Sequence, residues 1–346
     1  MAYLYKRPGK VLPVFIFLLL NSLCVNAQHH PVNDTSYYVR FPGSLTSRLY
    51  SSQKYTDFTL KDKTTRNIHY YPNTTFNLGI GATFDNLSLN LAYGFGFLNR
   101  DPEKGKTKYL DLQSHYYWRK WITDVEGQFY NGYHLAEGVA TDPGKYYYRG
   151  DMKVAMFGIS QYRILNPTRF SYRAAFTQNE WQKKSAGTFL VGAGIYYGDV
   201  NSDSSLIPQS IQQTFSEKNI QKVNYFSFGP GIGYAYTLVL QRHIFFTGSV
   251  TTSLNFSFTN EHIIDNQGFH FSVNPVTRFR LAAGYNSRTW NVSANWVKDN
   301  VPFSGNDKEI NYVFSTGNYR IVIAKRFNTG RRLRKHLRLI LDFIKD

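Results

Sequence analysis

Cysteine is almost missing from the chain: one in 346 residues, Cys24. It falls within a short N-terminal segment that has the features of an export signal. Lys6, Arg7 and Lys10 precede the apolar run Val11 to Leu20, and Val25, Asn26 and Ala27 supply the compact residues of a cleavage site. Residues 1–27 are therefore expected to be a Sec-type signal peptide, removed after Ala27, which leaves no thiol. Leu23 stands where a lipid-attachment signal needs a small residue, so acylation of Cys24 is not expected. An exported protein without disulfides needs a large core or a membrane to hold it.

Long apolar runs are also lacking. Beyond Leu20 nothing supports a membrane-spanning helix. Acidic residues are scarce, 23 Asp and Glu against 40 Lys and Arg, for a net charge of +17. Part of that excess sits at the end, where Arg331, Arg332, Arg334, Lys335, Arg338 and Lys345 alternate with Leu333, Leu337, Ile340 and Ile344 at helical spacing. Residues 328–346 are expected to form a short basic amphipathic helix on an anionic lipid surface. Export removes the chain from nucleic acid, which is not expected as a partner. Histidines, from His29-His30 onward, show no metal-ligand spacing, so no metal or other cofactor is expected.

Aromatics and glycine are abundant: 27 Tyr, 27 Phe and 26 Gly. That mixture favours strands and tight turns, and 346 residues suffice for one large all-β domain. From Thr74 the period is two. Phe76, Leu78, Ile80, Ala82 and Phe84 share one face, opposite Thr75, Asn77, Gly79, Gly81 and Thr83. The pattern recurs at 87–97, 243–258 and 289–297, with greasy residues on one side and glycine or small polar residues on the other. Water-facing strands carry more Lys, Glu and Thr than these do. The expected fold is a transmembrane antiparallel β-barrel, whose outward face meets lipid and whose inward face lines a wet lumen.

Short turns at Asp85-Asn86, Arg119-Lys120, Asn166-Pro167, Gln241-Arg242 and 286–288 alternate with longer connections, as in outer-membrane barrels. Both termini are then expected in the periplasm, with an even strand count. About 12 strands are expected within a barrel spanning 46–327, with 10 and 14 as alternatives, after an irregular segment at 28–45. The spans are 46–60, 74–84, 87–98, 107–118, 121–133, 149–164, 168–198, 222–239, 242–258, 269–285, 289–298 and 310–326. The count depends on 168–198. Its polar face switches from odd to even numbers between Thr177 and Gln178, and a β-bulge there would keep one long strand.

With its signal-like start before Gln28 and the segment "FSYRAAFTQNEWQKKSAG", Phe170 to Gly187, the chain resembles a family of Bacteroidota exported proteins known as domain of unknown function 4421. The resemblance implies an outer-membrane protein and brings no catalytic residues with it.

Charge is unevenly placed on the expected inward faces. Asp111 with Gln113 and His115, then Asp124 and Glu126 with Gln128, then Asp151 and Lys153, make an acidic wall. Arg169 and Arg173 follow, with Gln178, Glu180, Gln182 and Lys184 beyond them, and Arg278, Arg280 and Arg320 come from late strands. Such charges can pair across strands and simply fill the barrel. They can also line a passage or cavity for small polar solutes, which is the function expected here. The alternatives are a docking barrel of an envelope complex, with loops 134–148 and 199–221 as contact surfaces, and a lipid hydrolase using His115 with Ser171 or Ser185. No G-x-S-x-G occurs, and Gly229-Pro230-Gly231-Ile232-Gly233 lacks the lysine of a phosphate loop. The expected partners are outer-membrane lipid, the barrel assembly machinery and a small polar solute.

Overall fold

The structure, a computed structural model, describes residues 33–330 except 64, 86, 96, 99–100, 216–217, 264–265 and 308, together with 335 and 336. The expected signal peptide lies outside the described residues, as does nearly all of the expected C-terminal helix. Among the described residues no helix is long and apolar enough to cross a membrane.

Ten antiparallel strands close a ring: β2 (Ser44–Asp62), β3 (Ile68–Tyr71), β8 (Trp121–Leu135), β9 (Tyr148–Ile164), β11 (Ala186–Asn201), β12 (Ile220–Leu240), β13 (Ile244–Ile263), β14 (Asn266–Asn286), β15 (Trp290–Ser304) and β16 (Ile310–Asn328). The last strand pairs with β2 from Ile310 opposite Asp62 to Asn328 opposite Ser44, which seals the barrel. One rim carries the short turns. Gln241 and Arg242 both have positive φ there, the backbone of a tight hairpin that follows strand twist. The opposite rim carries the longer loops.

The remaining wall strands hang on the turn half of the ring. β4 (Asn77–Phe84) pairs with β2 below β3, and β5 (Leu87–Gly94) pairs with β4. β6 (Lys108–Asp111) and β7 (Ser114–Tyr117) pair with β8. No ladder joins β5 to β6 or β7 among the described residues. The expected count of 12 is thus corrected. The turn half holds twelve strand positions with one unzipped seam, and only ten strands form the closed ring. The sequence contains the strands, but alternation does not state which edges meet.

Outward side chains make an almost unbroken apolar surface. On β12, Phe226, Phe228, Ile232, Tyr234, Tyr236, Leu238 and Leu240 are all exposed, Ile232 at 64%. On β5, Leu91 reaches 73%. So many large apolar side chains facing outward on a closed barrel fit contact with hydrocarbon.

Inside, the expected long strand 168–198 does not form. After β9 the chain turns inward at the turn rim. Ser171 caps a short helix, α1 (Tyr172–Phe176), by accepting the Ala174 N–H at 3.2 Å. Gln178, at φ 57°, then reverses the chain into β10 (Glu180–Gln182). β10 pairs with β1 (Tyr38–Arg40), which belongs to the segment expected to be irregular. The shift of polar parity at 177–178 is this helix and reversal, not a bulge.

Candidate functional site

The lumen is filled by its own chain at both ends. At the turn rim Phe170, Tyr172, Ala175 and Phe176 pack against the inward Ile122, Leu190, Ala235 and Phe245. Tyr117 stacks on Tyr172 and Phe176 at 5.6 and 5.4 Å, and the Tyr172 hydroxyl meets Ser249 Oγ at 2.6 Å. Arg326 fastens this stopper: its Nε donates to the Gln178 carbonyl at 2.8 Å and its Nη2 to the Glu180 carbonyl at 3.1 Å. Asn286 donates to the Ala174 and Glu180 carbonyls at 3.2 and 3.1 Å.

At the loop rim, the connection after β11 folds inward over 202–215. Leu206, Ile207, Ile211 and Phe215 join Tyr70, Tyr130, Tyr225, Phe303 and Phe314 in a second buried cluster. Sequestering each such side chain contributes roughly 1.5–3 kcal/mol, so the loop gains by entering the barrel. Arg149 holds its start, donating to the Ser205 carbonyl at 2.8 Å while paired twice with Asp151 at 2.8 Å. Of the stretch 199–221, expected as a contact surface, these apolar side chains are buried while Asp203, Gln209, Gln213 and Lys218 stay exposed.

Between the stoppers lies an ionic knot. Arg278 and Arg280 on β14 face Asp124 and Glu126 on β8 across the lumen. Arg278 bonds Asp124, Glu126 and Asp299, with the Glu126 Oε1 contact at 2.6 Å, and Arg280 also bonds Asp124. Arg280 is 0% exposed. Asp124 Oδ1 accepts from His115 Nδ1 at 2.7 Å, and its Oδ2 accepts from Ser160 Oγ at 3.2 Å. Two arginines against three carboxylates and an imidazole make a brace, in which opposed walls neutralise one another rather than hold a field across open water.

The other expected site residues scatter. Asp111 stands outside the knot, bonded by Lys54 Nζ at 3.2 Å and the Tyr130 hydroxyl at 2.7 Å. Arg173, Gln178, Glu180 and Gln182 belong to the turn-rim stopper. Glu180 accepts the Ser171 hydroxyl at 2.5 Å, and Gln182 donates to the Arg169 carbonyl at 2.6 Å. Arg169 and Lys184 are exposed at the rim, over the Tyr37 ring at 5.1 and 5.6 Å. Asp151 sits at the loop rim. Arg320 lies apart from the knot, its guanidinium 4.6 Å from the Tyr50 ring centre.

Lys153 is corrected outright: it is exposed and points outward, and so does Arg163, while Met152, Val154 and Met156 point in. That end of β9 packs against the loop-rim stopper, so its greasy face is the inner one. Of the serines named for the alternative hydrolase, Ser171 donates to Glu180, and Ser185 Oγ accepts the Val239 N–H at 2.9 Å. Asp299 was missed, although it continues the inward row of Asn291, Ser293 and Asn295; Arg326 continues the row of Asn318 and Arg320. Among the described residues no cluster of three His, Cys, Asp or Glu is placed to hold a metal ion.

The profile of domain of unknown function (DUF4421) matches residues 32–327. No curated protein matches the sequence. Among solved structures, the outer membrane protease OmpT from Escherichia coli is similar at TM-score 0.39 and 9% identity, over 84% of this chain and 98% of that one. A bacterial polysaccharide outer membrane secretin follows at 0.32 and 8%, over 83% and 99%. The toluene transporter TodX of P. putida stands at 0.24 and 8%, over 84% and 92%. No residue correspondence follows from likenesses this distant.

Proposed function

The chain belongs to the DUF4421 family, and on that premise we propose that it is an outer-membrane β-barrel, exported through its N-terminal signal, that acts as a sealed binding and docking barrel rather than an open pore. The observation that carries this reading is the double stopper, with α1 and 206–215 filling the two mouths around a buried ionic knot. The apolar exterior supports the membrane setting, where barrel assembly machinery would insert the chain and lipid would surround it. Loop 136–147 remains available as a contact surface, because Glu137, Asp142 and Lys145 stand exposed on it. Passage of small polar solutes, the first expectation from the sequence, would require a stopper to move.

Planar-bilayer recording tests the reading. The intact chain is expected to be silent, and a chain lacking 206–215 to conduct in steps. Steady channels from the intact chain would overturn the proposal.

A further inference from the structure

The seam between β5 and β7 is the one place where the barrel wall lacks its ladder among the described residues. At its foot, by the turn rim, lies a recess with a cavity volume of about 40 Å³. Thr83, Asp85 and Ser88 line it from the β4–β5 side, His115 and Tyr117 from β7, and Arg173 from the stopper. That volume holds roughly three waters.

The polar atoms around this recess favour an anion. Arg48, on the inner face of β2, is 4% exposed and donates through Nη2 to Ser88 Oγ at 3.2 Å and to Thr83 Oγ1. Its Nε has no hydrogen-bond partner among the described residues. Neither Arg48 nor Arg320 has a carboxylate partner there, whereas Arg278 has three. The charge acting on Arg48 is Arg320, of the same sign, on the other side of Tyr50 in the same inner row. His115 Nδ1 donates to Asp124, and its buried Nε2, also without a partner among the described residues, is left over beside the recess, where it donates to an anion when the ring carries both protons. The acid in the lining, Asp85, is turned to the Gly43 N–H at 3.1 Å. Buried guanidiniums without a counter-charge are costly, and phosphate, like carboxylate, has oxygens that match their fork.

The seam defines how such an anion arrives. Ser88 and Asn90, on the inner face of β5, are exposed although they face the lumen side, and Leu89, Leu91 and Tyr93 are exposed on the outer face. A polar inner lip beside a greasy outer one suits an amphiphile. We propose that the recess binds the phosphate of a membrane phospholipid, with Arg48, Ser88 and His115 around the headgroup and the acyl chains leaving through the β5–β7 seam into the bilayer. This inference rests on the membrane setting proposed above. It is independent of whether the stoppers seal the barrel along its axis.

The test uses the full chain, purified in detergent and stripped of lipid by exhaustive exchange. Barrel integrity is checked separately by heat-modifiable migration on gels, so failure of the barrel reading is distinguishable from failure of the lipid site. Dioleoyl phosphatidylglycerol, dioleoylglycerol without phosphate, and inorganic phosphate are titrated in turn, with bound molecules counted by native mass spectrometry. Retention of one phosphatidylglycerol per chain is expected, with at least tenfold weaker retention in Arg48→Met and in Arg320→Met. The exposed-turn control Arg242→Gln should bind like the parent. If Arg48→Met does not fold, Arg320→Met and Ser88→Trp, which fills the recess, carry the comparison. Equal retention of dioleoylglycerol, retention unchanged in the folded variants, or binding of inorganic phosphate without lipid each overturns the proposal.

Discussion

Arg278 on β14 and Glu126 on β8 meet across the lumen at 2.6 Å, although 152 residues separate them in the chain. The same guanidinium holds Asp124 and Asp299, so one side chain ties three strands together through the barrel interior. Arg278→Met would leave three carboxylates facing one another with Arg280 as their nearest cation. Removing one partner of a buried ion pair costs about 3–5 kcal/mol. Urea unfolding of the refolded chain is expected to show a loss of that size, while Glu126→Gln, which removes one charge from an acid-rich knot, loses clearly less. Equal losses would mean that the knot is not a charge brace.

The turn-rim stopper hangs on Arg326, whose guanidinium bonds the carbonyls of Gln178 and Glu180 and the Asn286 amide oxygen at 2.8 Å. Arg326→Ala removes these contacts at once and takes from the Gln178 carbonyl the donor that Arg326 Nε supplies, while Asn286 still donates to Glu180. Trypsin added to the folded chain is then expected to cut at Arg173 and Lys183 many times faster, and planar bilayers to show intermittent openings. A variant that resists trypsin as well as the parent would place the anchor elsewhere.

Much of this architecture can be read from alternation. The inward rows of β12, β13 and β14, and the acids on β8, follow from a period of two because those strands have an apolar exterior on one side and the lumen on the other. Where a strand leaves that setting, the rule fails. Lys153 and Asp151 lie where β9 rises past the apolar band, and there the inner face is the greasy one. The stopper was illegible for another reason. Gln178, Glu180 and Gln182 alternate as in a strand, but the two glutamines donate to carbonyls of the chain's own loops, Glu180 accepts the Ser171 hydroxyl, and Ser171 starts a helix only five residues long. β3 was missed because its four residues show too little alternation. The seam could not be read at all, since nothing in β5 or β7 states that their edges stay apart.

His134, at the loop-rim end of β8 beyond the apolar band, packs its ring edge-on against Tyr146 of the adjoining loop at 5.7 Å, beside Lys104 and Asp101. Burial, with Lys104 adding to it and Asp101 opposing, lowers its pKa to about 4. The unfolded chain takes up a proton near pH 6.5, which the folded chain refuses. Its contribution to stability is therefore complete above pH 6.5 and is lost progressively as the pH falls toward 4. Urea midpoints between pH 7 and pH 4.5 should fall more steeply for the parent than for His134→Gln. Parallel slopes would show that this imidazole is freely hydrated.

The membrane setting has its own discriminating substitution. Ile232 lies midway along β12, on the outward face, between Phe228 and Tyr236. On a water-soluble barrel an arginine at a position 64% exposed would change stability little. In a bilayer the same side chain must enter hydrocarbon or thin the membrane around it, at a cost of about 2–4 kcal/mol near the midplane that falls toward the rims. Ile232→Arg is therefore expected to destabilise the barrel in phospholipid vesicles by that amount. Leu240→Arg, at the turn-rim end of the same strand, should cost about 1 kcal/mol or less. The comparison uses two exposed apolar positions on one strand and a single incoming residue, so propensity and packing largely cancel and depth is what differs. Equal and negligible costs at both positions would mean that the greasy surface faces something other than lipid, and the barrel would have to be assigned a protein coat in place of a membrane.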